Sequence, residues 1–278
     1  MRISRVYFEA QLQAGATVRL PAESAHYLAH VLRLRVDDHV HLFNARDGEF
    51  LVRITQIKKA DVDVLVEKQV VQGQLVGGQL VKGQLAEGQL VRGQLAEEQL
   101  TENQGVNGQS RLKIHLGLGL SRGDRMDFAI QKSTELGVSE ITPLYTEHGE
   151  VKLKADRLEK KLQHWRKIAI NASEQSGRLE IPEIHTPSPL AEWQQGLDAG
   201  FSLMLDPSGE DKLPLNTAAL QFEQVNLLIG PEGGFSATEI HSARNQGLVI
   251  VALGTRILRT ETAPIAALAI LQHLYGDM

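Results

Sequence analysis

Polar and apolar residues alternate in short runs over the first part of the chain. Val40, Leu42 and Phe43 precede Asp47-Gly48, and Phe50, Val52 and Ile54 alternate after it. A period of two puts every second side chain on one face of a strand, and Asp-Gly suits a hairpin turn between two such strands. Val62, Val64 and Val66 continue the rhythm. Between the early strands, the segment from Pro21 to Leu34 reads as one helix carrying His26, His30 and Arg33. Residues 1–68 therefore predict a small β-barrel with one helix.

The rhythm is lost in residues 69–109. Within them, residues 72–101 repeat a five-residue unit, Gly-Gln-Leu-Val/Ala-x, with Leu75, Leu80, Leu85, Leu90, Leu95 and Leu100 at its period. Five residues advance a helix by about 140°, so these leucines spiral around it and make no stripe. In a strand the odd period sends successive leucines to opposite faces. The Gly/Gln content reads instead as a linker grown by repeat expansion.

From residue 110 to 278, strands and helices alternate. Leu112, Ile114, Leu116 and Leu118 mark a strand, and Asp124 to Leu136 a helix ending at Gly137, with Met126, Ile130 and Phe128 as its core candidates. Leu158, Leu162, Trp165, Ala169 and Ala172 make one stripe on a helix over 155–176. Phe201 to Leu205 is a strand turning at Asp206-Pro207-Ser208-Gly209. Val225, Leu227, Leu228 and Ile229 form another, bounded by Gly230-Pro231. Ser236 with Glu239 is a capping box opening a helix over 237–246, closed by Gly247. A last helix runs from Pro264 to Tyr275. Such alternation predicts an α/β domain, and open α/β sheets bind ligands in the crevice at the carboxyl ends of their strands.

Two strand-to-helix loops carry candidate chemistry: Gly230-Pro231-Glu232-Gly233-Gly234 and Leu253-Gly254-Thr255-Arg256-Ile257-Leu258-Arg259-Thr260-Glu261-Thr262-Ala263. Gly233 and Gly234 permit positive φ and a close ligand approach. The first loop lacks the Walker A pattern, and Glu232 would repel a phosphate. A ligand with adenine, ribose hydroxyls and a positive centre fits better, and S-adenosylmethionine has those parts. A competing signal is Gly117-Leu118-Gly119-Leu120-Ser121-Arg122-Gly123, close to a Rossmann nicotinamide loop but one residue off its spacing. His26 with His30, and His39 with His41, have ligand-like spacing but no H-E-x-x-H context, so they read as surface or packing histidines and no metal is assigned.

Composition narrows the function classes. The chain has 278 residues, 42% of them hydrophobic and 23% charged, with no cysteine. Disulfides, thiolate nucleophiles and Cys-based zinc sites are thereby excluded, and a reducing cytoplasm suits the chain. No apolar core of a signal peptide follows Met1-Arg2-Ile3-Ser4-Arg5, and no apolar run reaches spanning length, so no membrane partner is expected. A net charge of −5 argues against coating nucleic acid through bulk charge. Residues 111–178 nevertheless hold thirteen Lys/Arg against nine Asp/Glu, which leaves room for one basic face.

The two loops, together with Ser121-Arg122-Gly123-Asp124-Arg125-Met126-Asp127-Phe128, Gln131-Lys132-Ser133-Thr134-Glu135-Leu136-Gly137 and Glu174-Gln175-Ser176-Gly177-Arg178, resemble a known family. It is that of the small-subunit (16S) rRNA uridine N3-methyltransferases of the RsmE type, in the SPOUT superfamily. The resemblance covers the chain except roughly residues 69–109. It implies a PUA-like β-barrel that grips RNA, then a SPOUT α/β domain with a deep trefoil knot, and a homodimer. The implied cofactor is S-adenosylmethionine, held by Leu205, Ile229, Gly230, Glu232, Gly233, Leu253, Gly254, Ile257, Leu258, Thr262 and Ala263. Arg259 and Glu232 are the catalytic candidates, Arg259 to stabilise the developing oxyanion or to grip the target phosphate and Glu232 to assist proton removal or to hold the cofactor. Arg122, Lys132 and Arg178 are the implied RNA contacts, and free small-subunit rRNA or the assembled subunit the partner. Relatives often have Arg where Glu147-His148-Gly149 stands, so any RNA contact there is in doubt. Two rival functions stay open on sequence alone: a nicotinamide-dependent oxidoreductase and a non-catalytic RNA-binding module.

Overall fold

The computed structural model describes residues 3–58, 61–72, 110, 112–197, 200–209 and 223–278, and the five-residue repeats lie outside them. The chain divides into two compact units, residues 1–109 and 110–278.

In the first unit, five strands form one sheet: β1 (Arg5–Tyr7), β2 (Thr17–Arg19), β3 (His39–Asn44), β4 (Gly48–Lys58) and β5 (Asp61–Gln72), in the order β1-β3-β4-β5-β2. β1 and β3 run parallel, and the other pairs are antiparallel. The alternation read from sequence is the burial pattern: Val40, Leu42, Val52, Ile54, Val64 and Val66 are fully buried and pack with Leu28 in one core. Where residues 1–68 were expected to complete the domain, β5 continues to Gln72. The long β4 still offers it backbone partners, pairing Glu49 with Val71 and Gly48 with Gln72. The single helix expected from Pro21 to Leu34 is shorter and mixed. Helix α1 (Ala22–His26) passes into a π-turn over Tyr27–Val31, where Leu32 N donates to Tyr27 O at 2.9 Å, and Arg33 at φ 57° ends it. The His26 and His30 rings face each other, centroids 4.9 Å apart.

The second unit is a parallel sheet with helices. Its strands are β6 (Lys113–Gly119), β7 (Glu140–Tyr145), β8 (Glu183–Ile184), β9 (Ser188–Pro189), β10 (Phe201–Leu205), β11 (Gln224–Ile229) and β12 (Val249–Val251). They lie in the order β12-β10-β11-β6-β7-β8, with β9 also pairing β7. Its helices are α2 (Gly123–Glu135), α3 (Ala155–Ser176), α4 (Leu190–Gln195), α5 (Ala237–Asn245) and α6 (Thr262–Tyr275). Parallel strands covered on both faces need continuous apolar runs, and Ile114, Leu116, Leu118, Leu227 and Leu228 are all fully buried. α3 buries Trp165, Ala169 and Ala172 of the expected stripe and stops at Gly177, whose φ is 93°. Phe128, a core candidate on α2, is 44% exposed and lies under Lys132.

The chain runs β6 to β8 towards one edge, then returns on the other side of β6 with β11 and β10. That reversal brings the ends of β6, β10, β11 and β12 together and opens a crevice beside them. Gly117 and Gly119 sit inside β6 and form no cofactor loop. A Cβ on Gly117 would meet the Trp193 ring at 2.8 Å, and one on Gly119 would collide with the Pro231 nitrogen. These two glycines let α4 and the turn after β11 approach the sheet, which removes the structural basis of the nicotinamide reading.

Candidate functional site

Leu205, Ile229 and Val251 are the last residues of β10, β11 and β12, and they stand in register across the sheet. All three line a cavity of 390 Å³, and the three chain segments that leave these strands close around it. That volume is in the range of small-molecule sites.

Each segment is shaped locally. After β11, Gly230 packs under the Phe235 ring, Gly234 turns at φ 69°, and Gly234 N donates to Pro231 O at 2.9 Å. The turn is then tied to α5 by the capping box, with Glu239 N donating to Ser236 Oγ at 3.2 Å and Ser236 N to Glu239 Oε2 at 2.9 Å. After β12, Gly254 at φ 77° bends the chain back over the cavity. Thr262 N and Ala263 N both donate to Arg259 O, at 2.8 and 2.9 Å, so the Arg259 main chain starts α6 while its side chain stays exposed.

The cavity wall is partly apolar and partly charged. Leu253, Ile257 and Leu258 line it, and Ile257 is 83% exposed, an isoleucine left for something to cover. Arg125, Glu232, Arg259 and Glu261 line it as well. Glu232 Oε1 accepts from Arg125 Nη1 at 2.9 Å. Glu261 has one oxygen 3.9 Å from Arg259 Nη1, while its Oε2 is buried with no hydrogen-bond partner. A buried carboxylate oxygen without a donor is costly, and this one has almost no surface open to the cavity.

Leu205, Ile229, Gly230, Glu232, Leu253, Gly254, Ile257, Leu258, Arg259 and Ala263 thus converge on one cavity. Two residues expected with them do not line it. Thr262 is exposed at the start of α6 and is not part of the lining. Gly233 is outside the left-handed region and backs onto the turn after β7, where its Cβ would come within 2.9 Å of His148 Cβ. The positive φ belongs to Gly234.

The three expected RNA contacts fall in three different settings. Arg122 is exposed and paired with the equally exposed Glu150. Lys132 is paired with Glu135 at 2.8 Å and lies over the Phe128 ring. Arg178 is half-buried: its Nη1 donates to Thr134 O at 2.7 Å, tying α3 to the end of α2, and burial pushes the guanidinium below its ordinary pKa. Arg125, which sequence reasoning quoted only as part of a motif, is the residue it missed.

A separate cluster joins His115 of β6, Glu140 at the start of β7 and His185 just after β8, and none of the three lines the cavity. His185 Nε2 lies 2.9 Å from Glu140 Oε2, while His115 Nε2 takes the Trp193 indole N–H at 3.1 Å. His115 Nε2 also lies 2.8 Å from Thr142 Oγ1, so each of the three already has a protein partner.

With this geometry in place, the chain can be set beside known proteins. Residues 108–272 match the model of an RNA methyltransferase domain, and residues 20–67 that of an RNA methyltransferase PUA domain. The chain is 33% identical over 278 residues to ribosomal RNA small subunit methyltransferase E of Buchnera aphidicola subsp. Schizaphis graminum, covering 100% of this chain and 98% of that protein. The same enzyme from Bacillus subtilis is 26% identical over 278 residues, covering 96% and 95%. Among solved structures, a putative methyltransferase from Legionella pneumophila in complex with bound SAM superposes with a TM-score of 0.83 at 34% identity, both chains covered fully. Ribosomal RNA small subunit methyltransferase E from Neisseria gonorrhoeae, bound to S-adenosyl methionine, gives 0.78 at 30%, again over both whole chains.

Proposed function

The chain belongs to the RNA methyltransferase family, and we propose that it is an S-adenosylmethionine-dependent enzyme methylating N3 of one uridine in small-subunit (16S) ribosomal RNA. The observation that carries this reading is the cavity at the ends of β10, β11 and β12, in a chain that superposes over its whole length on proteins solved with that cofactor. The wall fits the group. Leu253, Ile257 and Leu258 offer an apolar surface for adenine, the main chain around Gly230 and Gly254 offers donors and acceptors, and the Glu232 carboxylate on the wall suits a positive centre. When bound, the cofactor supplies a methyl group made electrophilic by its sulfonium.

The chain's own groups do the rest. Uracil N3 carries a proton that must leave before the nitrogen can attack, and in this reading Glu232, on the cavity wall, takes it. Negative charge then develops on the flanking carbonyl oxygens, where the exposed Arg259 guanidinium provides a donor from the cavity wall.

The finer architecture in this reading is a PUA-like barrel in the first unit that grips RNA, a trefoil knot formed by the chain after β11, and a homodimer in the cytoplasm. The PUA-domain match and the parallel sheet order support the first two. Among the described residues, no helix is long and apolar enough to cross a membrane.

The test uses small subunits from cells lacking this protein, incubated with it and labelled S-adenosylmethionine. Label at N3 of a single uridine, located by mass mapping of RNA fragments, is expected. Label on another atom or on another RNA would overturn the reading.

A further inference from the structure

Beside the cofactor cavity lies a second concavity of 600 Å³, lined by charged residues, a histidine and two glycines. Three pieces of chain build it. Gly123, Asp124 and Arg125 open α2, His148 and Glu150 stand after β7, and Glu232 and Gly233 belong to the turn after β11. These pieces are fastened to one another. His148 Nδ1 lies 3.1 Å from Gly233 O, and Glu147 N donates to Glu239 Oε1 at 2.8 Å. The carboxylate that caps α5 therefore also holds the turn after β7.

The recess and the cavity share two residues, Arg125 and Glu232, and these two form the 2.9 Å ion pair. The pair is a partition between the two spaces. Its side chains are 46% and 34% exposed, so its net worth is small and a competing ligand can open it. Around the recess, Asp124, Glu150 and Glu232 stand against Arg122 and Arg125, a balance that disfavours a phosphate. A neutral ligand with its own donors and acceptors suits this lining. Once opened, the pair leaves a donor-only guanidinium next to an acceptor-only carboxylate. The imide edge of a pyrimidine, a ring N–H beside a carbonyl oxygen, is the complement of that arrangement.

We propose that this recess receives the target uracil, flipped out of its stack, and that Arg125 binds its imide edge after leaving Glu232. The proposal rests on the methyltransferase reading above. The N3–H bond breaks with its proton passing to the Glu232 carboxylate, and the electron pair left on N3 forms the bond to the methyl carbon. The pair from the broken carbon–sulfur bond stays on sulfur, so a sulfonium becomes a neutral thioether. Arg125 faces the carbonyl oxygen on which charge develops during proton loss, and a guanidinium already in place there lowers the barrier. Extrusion of the base is what brings an atom inside folded RNA within reach of a cofactor.

The experiment compares the full-length protein with R125A and R125K. It measures calorimetric affinity for S-adenosylhomocysteine, affinity for unmodified small subunits, and single-turnover transfer between about pH 6 and 10. R125A is expected to keep both affinities within about threefold and to lose about hundredfold or more in rate. Its rate profile should move to higher pH, because the N3 anion has lost its cation, and added guanidinium ion should restore part of the rate. R125K should fall between, and it carries the same readouts if R125A does not fold. An unshifted pH profile with a matching loss of cofactor affinity would make Arg125 a support of the cofactor cavity and overturn the proposal. A rate within about threefold of wild type would overturn it too. Wild-type protein that transfers no methyl group to small subunits would instead sink the underlying reading, and that control is read first.

Discussion

Arg259→Ala isolates the chemistry of the cavity from its construction. The Arg259 side chain is 78% exposed, and its nearest carboxylate, Glu261 Oε1, lies 3.9 Å away. An exposed pair at that distance is worth about 0–1 kcal/mol, and truncation of an exposed side chain usually stays within about 0.5 kcal/mol. The structural duty of the residue lies in its carbonyl, which accepts from Thr262 N and Ala263 N and is retained in alanine. Adenine is expected to touch main chain and the apolar wall, so cofactor affinity should also survive. What the substitution removes is a charged donor on the cavity wall, worth about 3–4 kcal/mol at a developing oxyanion, or a rate loss of order hundredfold or more. The assay is single-turnover methyl transfer to small subunits at saturating cofactor and enzyme, with calorimetry and thermal unfolding in parallel. Slow transfer with wild-type stability and cofactor affinity is the expected result. Slow transfer rescued by more enzyme would reduce Arg259 to a grip on phosphate, and near-normal transfer would refute its place in the reaction.

Three further outcomes are expected from residues whose surroundings are now known. Glu261→Gln should raise the stability of the ligand-free protein by about 1 kcal/mol, since an unpaired buried carboxylate oxygen costs about 1–3 kcal/mol or more, against about 0.3–1 for a negative charge at a helix start. A fall in melting temperature would mean that the oxygen is already satisfied. Arg178→Met should cost about 1.5–3 kcal/mol of stability through the lost bond to Thr134 O and leave affinity for small subunits unchanged; a selective loss of RNA binding in a stable variant would restore Arg178 as a contact. Asp47, held below the ordinary aspartate range first by the Arg46 guanidinium and also by Leu12 N and Asn44, contributes stability above its unfolded pKa of about 3.9 that is lost as pH falls through its lower folded value. Hydrogen exchange at the Leu12 amide should show Asp47→Asn less protected at neutral pH and less sensitive to acid, whereas parallel acid dependence in both proteins would count against this assignment.

Local chemistry was readable where one residue type has one structural answer. Ser236 and Glu239 cap α5 through both bonds expected of them, and the Leu158-to-Ala172 stripe marks a helix at Ala155–Ser176. Reading failed where neighbours compete or where solvent exposure had to be guessed. Either glycine at 233 and 234 can take a positive φ, and it is the pressure of His148 on Gly233 that identifies its place, which no local pattern encodes. Arg178 follows Ser176-Gly177 like a residue of a surface turn, but the αL cap at Gly177 swings the chain back over α2 and half-buries the residue. Pro21 to Leu34 has helical composition, yet the wide turn at Tyr27–Val31 and the left-handed Arg33 depend on packing Leu28 into the sheet core.

The Arg125–Glu232 pair shows what kind of information was missing. The two residues are 107 positions apart, and each lies in a loop whose motif was visible by itself. Their meeting depends on one fact, that β11 hydrogen-bonds to β6 rather than joining the sheet at its edge. In a parallel sheet, neighbouring strands deliver the loops that follow them to the same end. The pairing of Ile229 with Leu118 therefore brings the turn after β11 to the end of β6, and Gly119 has no side chain to keep that turn away. The start of α2 then stands next to Glu232, with Arg125 in the first turn of the helix and paired with it. Strand adjacency, which periodicity cannot supply, thus decides which of the basic residues in the Ser121-to-Phe128 motif meets the acid. It selects Arg125, and it leaves Arg122 at the rim with Glu150.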